Sequence, residues 1–174
     1  SGFLVALPAG ATIKGVGDFN GDAHADLLVL DAAGRLVALV SDSAVAAGSP
    51  VALDAASTGY LTTPPAGWFV ESVADANGDG NADVYVGNAD GSVYVYITAL
   101  TGGVPGVDAG NSGRPVVLPA SWSLGAVGDM NGDGLSDMVA RNDAPGATHA
   151  LYTFISAAGG TSVNGPASGN PGAY

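Results

Sequence analysis

Cysteine is absent from this chain of 174 residues, and basic side chains are scarce. Without cysteine there can be no disulfide bonds, so packing, metal ions or neighbouring subunits must stabilise the fold. Lys and Arg total four, and Lys14, Arg35, Arg114 and Arg141 lie far apart in the sequence. Because binding to a phosphate backbone requires clustered positive charge, the sequence predicts no nucleic-acid partner.

Two further absences concern membranes and catalysis. No apolar run approaches the roughly 20 residues that cross a bilayer, so no membrane insertion is predicted. His24 and His149 are the two histidines, and neither stands beside a nucleophile or an acid in a catalytic pattern. Glycine-rich phosphate loops and Cys/His metal clusters are also missing, so we expect the protein not to be an enzyme.

What the sequence does contain is a repeated acidic pattern, found at residues 18–26 (DFNGDAHAD), 75–83 (DANGDGNAD) and 129–137 (DMNGDGLSD). All three copies have Asp at positions one, five and nine, Asn at position three and Gly at position four. They begin 57 and 54 residues apart (75 − 18 and 129 − 75), which indicates a repeating structural unit. Hard oxygen donors at alternate positions of a short loop are typical of calcium sites.

We therefore predict three bound calcium ions, one in each loop. The side chains at positions one, three, five and nine and the backbone carbonyl at position seven would supply the ligands. Three divalent ions would change the formal net charge from −12 to −6 (−12 + 3 × 2). The predicted ligands are Asp18, Asn20, Asp22, His24 and Asp26 in the first loop, Asp75, Asn77, Asp79, Asn81 and Asp83 in the second, and Asp129, Asn131, Asp133, Leu135 and Asp137 in the third.

Two other structures, a metal-free turn and an EF-hand, contain similar residues. Asp, Asn and Gly also form metal-free turns, but a turn alone does not require the Asp at position nine. The loops are not EF-hands, because their twelfth residues are Val29, Val86 and Ala140 instead of a bidentate Glu. Position six is Gly in two loops but Ala23 in the first. A left-handed Ala costs about 1 kcal/mol, so the first site is predicted to be the weakest.

Short alternating or apolar segments around each loop predict β-strands, whereas helix caps and helical periodicity are not found. The chain is therefore expected to be all-β, with four-stranded antiparallel propeller-type blades, because four strands in about 55 residues is the size of a blade. The second strands are predicted at 27–30, 84–86 and 138–140, the third at 36–40, 93–97 and 150–155, and the fourth at 51–53 or 60–62 and at 115–118.

The repeats suggest a division of the chain into 1–58, 59–112, 113–158 and a flexible Gly/Ser/Pro-rich tail at 159–174. The N-terminal strand Phe3–Leu7 aligns with a fourth strand, whereas the third repeat shows no recognisable fourth strand. Three blades are fewer than the four to eight of closed propellers. Either the chain is part of a longer propeller, or Phe3–Leu7 of one copy completes the third blade of another in a head-to-tail homo-oligomer or filament.

The segments GVGDFNGDAHADLLVL, SVADANGDGNADVYVG and AVGDMNGDGLSDMVAR resemble FG-GAP or VCBS-type repeats, and the resemblance covers residues 1–156. Such repeats build the head of integrin α subunits, many bacterial surface proteins and some fungal propeller lectins. The resemblance implies calcium-stabilised β-propeller blades, with the ion in the turn between the first and second strands. Bacterial members commonly place Trp in the second and third strands, but Trp68 and Trp122 precede the first strand here and are expected to pack in the core or between blades.

These patterns predict a calcium-binding structural or adhesive module of a secreted or cell-surface protein. Weak calcium loops are useful where calcium is around millimolar, which favours the extracellular setting. The alternative is a carbohydrate-binding propeller lectin, for which Tyr85, Tyr94 and Tyr96 are candidates for an exposed aromatic patch, although alternating tyrosines of a blade more often pack between sheets.

Overall fold

A computed structural model describes residues 6–46, 49–146, 150–165 and 168–169. Within these ranges the chain forms antiparallel β-strands and no helix, which confirms the predicted all-β class, and no segment there is a helix able to span a membrane. The strands are β1 (Thr12–Gly17), β2 (Asp26–Leu30), β3 (Leu36–Leu39), β4 (Gly59–Thr62), β5 (Trp68–Ala74), β6 (Asp83–Asn88), β7 (Ser92–Tyr96), β8 (Thr98–Thr101), β9 (Val104–Val107), β10 (Gly113–Val117), β11 (Trp122–Gly128), β12 (Asp137–Asn142) and β13 (Leu151–Phe154).

Three sheets correspond to the three repeats. Sheet 1 has the order β1-β2-β3-β4, sheet 2 the order β5-β6-β7-β10, and sheet 3 the order β11-β12-β13. A separate hairpin, β8–β9, is inserted between the third and fourth strands of sheet 2. The position of β4 selects the second of the two sequence alternatives for the fourth strand of sheet 1. In the predicted N-terminal strand, residues 3–5 lie outside the described residues.

The contacts divide the chain into two compact units. Unit 1 comprises Ser1–Pro65, Gly80–Ala82 and Thr98–Val107, and therefore holds sheet 1 and the β8–β9 hairpin. Unit 2 comprises Ala66–Asp79, Asp83–Ile97 and Asp108–Tyr174, and holds sheets 2 and 3.

The core of unit 2 forms where sheets 2 and 3 pack face to face. Tyr85, Val93 and Val95 of sheet 2 share one hydrophobic cluster with Met138 and Ala140 of sheet 3, and all five are buried. They share a face because Tyr85 pairs with Val95 across β6 and β7, and residues two apart on a strand point the same way. Burial of each large side chain stabilises the unit by about 1.5–3 kcal/mol.

Unit 1 buries one face of sheet 1. Leu28, Leu36 and Ala38 are fully buried, and they alternate along β2 and β3 with less buried neighbours, as a two-faced sheet requires. The inserted hairpin lies against β4 of this sheet. A Cβ at Gly59 would collide with the carbonyl oxygen of Pro105, so this close approach requires glycine.

The first strand of each sheet contains a β-bulge at the same place. The pairing register shifts around Lys14 in β1, around Glu71 in β5 and around Gly125 in β11. Each bulged residue stands four positions before the first Asp of its loop. A bulge bends its strand and redirects a side chain. The face of the sheet on which these three residues lie therefore cannot be predicted from the alternation of residues along the strand.

A hydrogen-bonded clasp, which was not predicted from the sequence, recurs after the third strand of each sheet. An Asp or Asn N–H donates to the carbonyl of the residue that directly follows the third strand, at 2.7–2.8 Å. The hydroxyl four residues later donates to the Asp or Asn carbonyl and accepts the N–H of the residue that follows the strand, at 2.7–3.2 Å. The clasps consist of Val40, Asp54 and Thr58; Ile97, Asp108 and Ser112; and Ile155, Asn164 and Ser168.

A glycine follows each clasp, and in sheets 1 and 2 it is the first residue of the fourth strand. Gly59 pairs with Ala38 and Gly113 with Val95, and Gly169 forms the equivalent bridge with Thr153 of β13. The described part of the segment predicted as a flexible tail therefore binds to the outer edge of sheet 3. Among the described residues sheet 3 has three strands, in agreement with the lack of a fourth-strand signal after residue 159, and the clasp recurs there without a fourth strand.

Candidate calcium loops

Each predicted loop connects the first strand of a sheet to the second. In the first loop, the Asp18 carboxylate accepts the N–H groups of Gly21 and Ala23, both at 2.7 Å. The side-chain oxygens at positions three and five each accept the N–H two residues later, at 3.2 Å for Asn20 and 2.9 Å for Asp22. Carboxylates that accept several N–H groups hold a short loop in a tight turn.

The third loop repeats this arrangement with different side chains at the variable positions. Asp129 accepts the N–H groups of Gly132 at 2.6 Å and Gly134 at 3.0 Å. Asn131 and Asp133 accept the N–H groups two residues later at 2.8 and 2.9 Å. The hydrogen-bond pattern therefore depends on the shared Asp, Asn and Gly positions.

In the second loop, residues Gly80–Ala82 belong to unit 1 and the others to unit 2. Within unit 2, Asp75 accepts the N–H of Gly78 at 2.7 Å, and Asn77 accepts that of Asp79 at 3.1 Å. The Asn77 amide donates to the Asp79 carboxylate at 3.0 Å. Positions one, three and five are thus brought together as in the other loops.

The Asp at position nine lies deeper than the other loop side chains. Asp26, Asp83 and Asp137 are at most 1% exposed. Asp26 accepts the N–H of Phe19 at 2.8 Å and that of Ser41 at 2.7 Å, and Asp137 accepts the corresponding N–H groups of Met130 and Ser156. Position nine therefore ties the loop to the end of the third strand, a role that the sequence analysis did not assign to it.

The backbone at positions four and six is left-handed in every loop. Position four has φ of +73° at Gly21, +77° at Gly78 and +81° at Gly132, and position six has φ of +66° at Ala23 and +86° at Gly134. The premise that position six is left-handed is therefore confirmed. Ala23 adopts this conformation with a Cβ, so the first loop carries a backbone cost that the third does not.

Neighbouring loops are connected by one recurring hydrogen bond. Within unit 1 the N–H of Ala82, at position eight of the second loop, donates to the carbonyl of Asp18 at 2.5 Å. Within unit 2 the N–H of Ser136, at position eight of the third loop, donates to the carbonyl of Asp75 at 3.0 Å. Asp18 and Asp75 thus use their side chains inside their own loops, and their carbonyls accept a hydrogen bond from position eight of the loop that follows in the sequence.

The loop carboxylates differ in their electrostatic surroundings. Burial tends to raise the pKa of Asp22, but hydrogen bonds from the His24 N–H and the Asn20 amide outweigh it and leave this pKa below its ordinary value. The N–H groups of Gly134 and Gly132 lower the pKa of Asp129. At position nine, burial raises the pKa of Asp26 even though two N–H groups oppose the change.

The donor set fits a hard divalent cation. Each loop supplies three carboxylates, an amide and a backbone carbonyl, all of them oxygen donors of the kind that calcium prefers. Oδ2 of Asp129 accepts one hydrogen bond, from Gly134, and so retains a lone pair. Within the described ranges, no three His, Asp or Glu side chains form a metal-binding group by themselves. Each predicted ligand set contains three Asp, so the three carboxylates of a set do not meet in one group in this structure. Positions one, three and five lie together, while position nine accepts backbone N–H groups.

Other residues singled out in the sequence have clear structural positions. Tyr85 is fully buried and donates to the Ser136 carbonyl at 3.2 Å, so for this residue the packed alternative is confirmed and the exposed patch is not. Trp122 packs against the core of unit 2, as expected. The His24 ring lies 3.3 Å from the Asp22 carboxylate with about half of its surface exposed. His149 lies outside the described residues.

Small antiparallel sheets, each with a turn rich in oxygen donors between its first two strands, define a β-repeat protein. Residues 75–140 match the family model of the FG-GAP-like repeat, so the chain contains a repeat of this type. The match begins at the first Asp of the second loop and ends in β12, after the third loop. Searches of curated proteins and of solved structures find no match.

Proposed function

We propose that the protein is a calcium-binding, non-enzymatic β-propeller module of a secreted or cell-surface protein, which acts in adhesion or in extracellular assembly. The observation that carries the proposal is the repetition of one loop conformation, with the same hydrogen bonds around Asp18 and Asp129, in a chain that contains an FG-GAP-like repeat. Sheets 1 to 3 would be successive blades.

Calcium would have a structural role in this proposal. When bound, it would neutralise the carboxylates gathered in each loop, whose mutual repulsion opposes a tight turn. The chain's own contribution is to hold the loop in place through position nine. The recurring hydrogen bond from the position-eight N–H of one loop to the position-one carbonyl of the preceding loop would then couple the order of neighbouring loops.

The test is thermal unfolding with calcium in excess and with excess chelator. Each site would add about 2.7 kcal/mol when free calcium is 100-fold above its Kd. A chain of this size changes its Tm by about 2–4 °C per kcal/mol, so three sites should raise the Tm by on the order of 20 °C. Calcium titration of the wild type should give three ions per chain.

A matched pair of variants identifies the site. Asp133→Asn, at position five of the third loop, should reduce the stoichiometry by one ion, because it removes a carboxylate ligand. Asp90→Asn, in the turn between β6 and β7, removes the same charge outside the loops and should leave the stoichiometry unchanged. Equal Tm values with calcium and with chelator would refute the calcium role.

Self-assembly through Phe3–Leu7 remains part of the proposal. Ile13 and Val16 of β1 are more than half exposed, which is apolar surface available for an interface. A donated strand would have to pair with sheet 3 beyond Gly169 or replace it, because Gly169 already pairs with Thr153.

Sedimentation velocity tests this assembly. The wild type should form oligomers at micromolar concentration, and deletion of residues 1–8 should leave a monomer. A compact wild-type monomer, or oligomers that persist after the deletion, would contradict strand donation.

Carbohydrate binding is a second candidate, favoured by one cavity of unit 2. This cavity measures about 280 Å³ and is lined by Val117, Pro119, Trp122, Tyr152 and Phe154. The rings of Tyr152 and Phe154 lie 4.7 Å apart at a tilt of 53°. Aromatic faces of this kind stack on the apolar faces of sugars.

A glycan array followed by titration tests this candidate. Tyr152→Ala should abolish binding of any sugar found, whereas Tyr60→Ala, which removes an exposed ring of sheet 1, should not. An array without a saturable ligand would remove carbohydrate binding from consideration.

A further inference from the structure

A second cavity lies in unit 2, at the ends of sheets 2 and 3 that are opposite the acidic loops. Strand β5 begins at Trp68 and reaches its loop at Asp75, so residues near its start mark the opposite end. The cavity measures about 200 Å³ and is bounded by the start of β5, the β6–β7 turn and the connection from β10 to β11. Its lining contains one charged side chain, Glu71, together with the aromatic rings of Phe69 and Trp122.

Glu71 occupies this position because of two local features of sheet 2. It is the bulged residue of β5, so its side chain departs from the normal alternation. Its carboxylate lies over Gly87 of β6, where a Cβ would stand 2.5 Å from Oε1 and 3.0 Å from Cγ. Glycine at position 87 therefore makes the space that the carboxylate fills.

The other two sheets lack this pair of a glutamate at the bulge and a glycine on the second strand, so they can be compared directly with sheet 2. At the bulge, sheet 1 has Lys14 and sheet 3 has Gly125. At the position of Gly87, twelve residues after the first Asp of the loop, they have Leu30 and Arg141. Glu71 is also the single glutamate of a chain whose other carboxylates are all Asp.

The Glu71 side chain is exposed to solvent at the edge of the cavity, and its carboxylate is still partly desolvated. Burial raises its pKa, and no hydrogen bond or charge within the described part of the chain acts in the opposite direction. Arg114 does not neutralise it, because its guanidinium contacts the Ser92 hydroxyl at 3.5 Å and its charge acts on Asp90. A carboxylate in a cavity without a cation partner favours a ligand that brings one.

We propose that this cavity binds a primary alkylammonium group, such as the side chain of a lysine on a protein partner. Glu71 accepts hydrogen bonds from the ammonium group, Trp122 attracts the cation through its ring, and Phe69 contacts the methylene stem. The net charge of −12 draws basic partners toward the chain. The proposal does not depend on calcium binding, because none of the lining residues belongs to an acidic loop.

The binding experiment is a titration of the full chain with n-butylammonium at neutral pH, in calcium-containing buffer, followed by NMR of the tryptophan indole N–H groups. Binding should shift the Trp122 resonance in a saturable manner and leave that of Trp68 unchanged. The neutral analogue 1-butanol, which has the same stem, should bind at least tenfold more weakly. Added salt should weaken the binding of butylammonium but not that of butanol.

Two variants test whether Glu71 supplies the negative charge that binds the ammonium group. Glu71→Gln retains the shape of the side chain and should lower the affinity for butylammonium at least tenfold. Lys14→Gln changes the charge at the equivalent bulge of sheet 1 and should change the affinity less than twofold. Equal affinity in wild type and E71Q, equal binding of butanol, or no saturable shift at Trp122 would each overturn the proposal. Tighter binding of n-butylguanidinium than of n-butylammonium would overturn the choice of ammonium.

Discussion

The first and third acidic loops have the same hydrogen bonds but are stabilised in different ways. Position six is Ala23 with φ +66° in the first loop and Gly134 with φ +86° in the third. Position two is the fully buried Phe19 in the first loop and Met130, which is 52% exposed, in the third. The first loop combines a strained backbone with an anchor in the core, and the third has neither. A shared motif therefore determines the conformation of a loop, while the variable positions determine its stability.

The largest expected effect concerns the anchors at position two. Phe19→Ala should destabilise the fold by about 3–5 kcal/mol, because it leaves a cavity in the core, whereas Met130→Ala should change stability by less than about 0.5 kcal/mol. Urea unfolding in calcium-containing buffer measures both. Equal effects of the two substitutions would show that the loops are anchored alike.

The buried carboxylates at position nine should give the next largest effect, and here the two loops should agree. Asp26→Ala and Asp137→Ala each leave two N–H groups without an acceptor, which costs about 2–4 kcal/mol. Three of these four N–H groups are buried, and that of Met130 is partly buried. Unfolding with calcium and with chelator separates this role from metal binding. A loss of stability found only when calcium is present would show that position nine acts solely as a ligand.

Exchange of the position-six residues should have an effect of about 1 kcal/mol. Ala23→Gly relieves a left-handed alanine and should stabilise the first loop, while Gly134→Ala should destabilise the third by a similar amount. If the free loop can relax at position six and the calcium-bound loop must keep it left-handed, the affinity for calcium should change up to about fivefold in the same directions, as 1 kcal/mol implies. Calorimetric titration of the two variants against the wild type tests the prediction that the first site is the weakest.

The smallest expected effect is the pH dependence of stability that Glu71 causes, at the end of the sheets opposite the acidic loops. Burial raises the pKa of Glu71 above its ordinary value of 4.5, so its contribution to stability is fully present below pH 4.5 and is lost as the pH rises through the folded pKa. Glu71→Gln should therefore match the wild type in acid and become slightly more stable toward neutral pH. The shift is small because the side chain is partly exposed. A Tm difference that does not vary with pH would contradict it.

The sequence predicted the parts of the fold that are encoded locally. The turns at 18–26, 75–83 and 129–137, the strands beside them and the left-handed position six follow from residue types at fixed spacing, and the structure confirms these features of the backbone. The β8–β9 hairpin was missed although Gly102 and Gly103, both with positive φ, form a typical two-residue turn signal. That signal was hidden in a segment that reads as a Gly-rich loop.

Other features depend on contacts between distant residues and could not be predicted from one strand at a time. The position of the Glu71 side chain depends on Gly87, which strand pairing places beneath it, and this contact cannot be predicted from β5 alone. The buried role of Asp137 requires Ser156, which is 19 residues away. The calcium ligands themselves remain predictions, because residue types specify the donors but not the bound ion.

The clasp that follows each third strand has a consequence for tolerance to insertion. The clasp joins the two ends of a connection whose length varies. Between the first two residues of the clasp lie 13 residues (41–53), 10 residues (98–107) and 8 residues (156–163) in the three sheets. Loop-closure entropy grows only slowly with length, so a foreign peptide grafted between a third strand and its clasp should leave the sheet intact. These three connections are therefore the places where such a scaffold can acquire new sequence without a change in its framework.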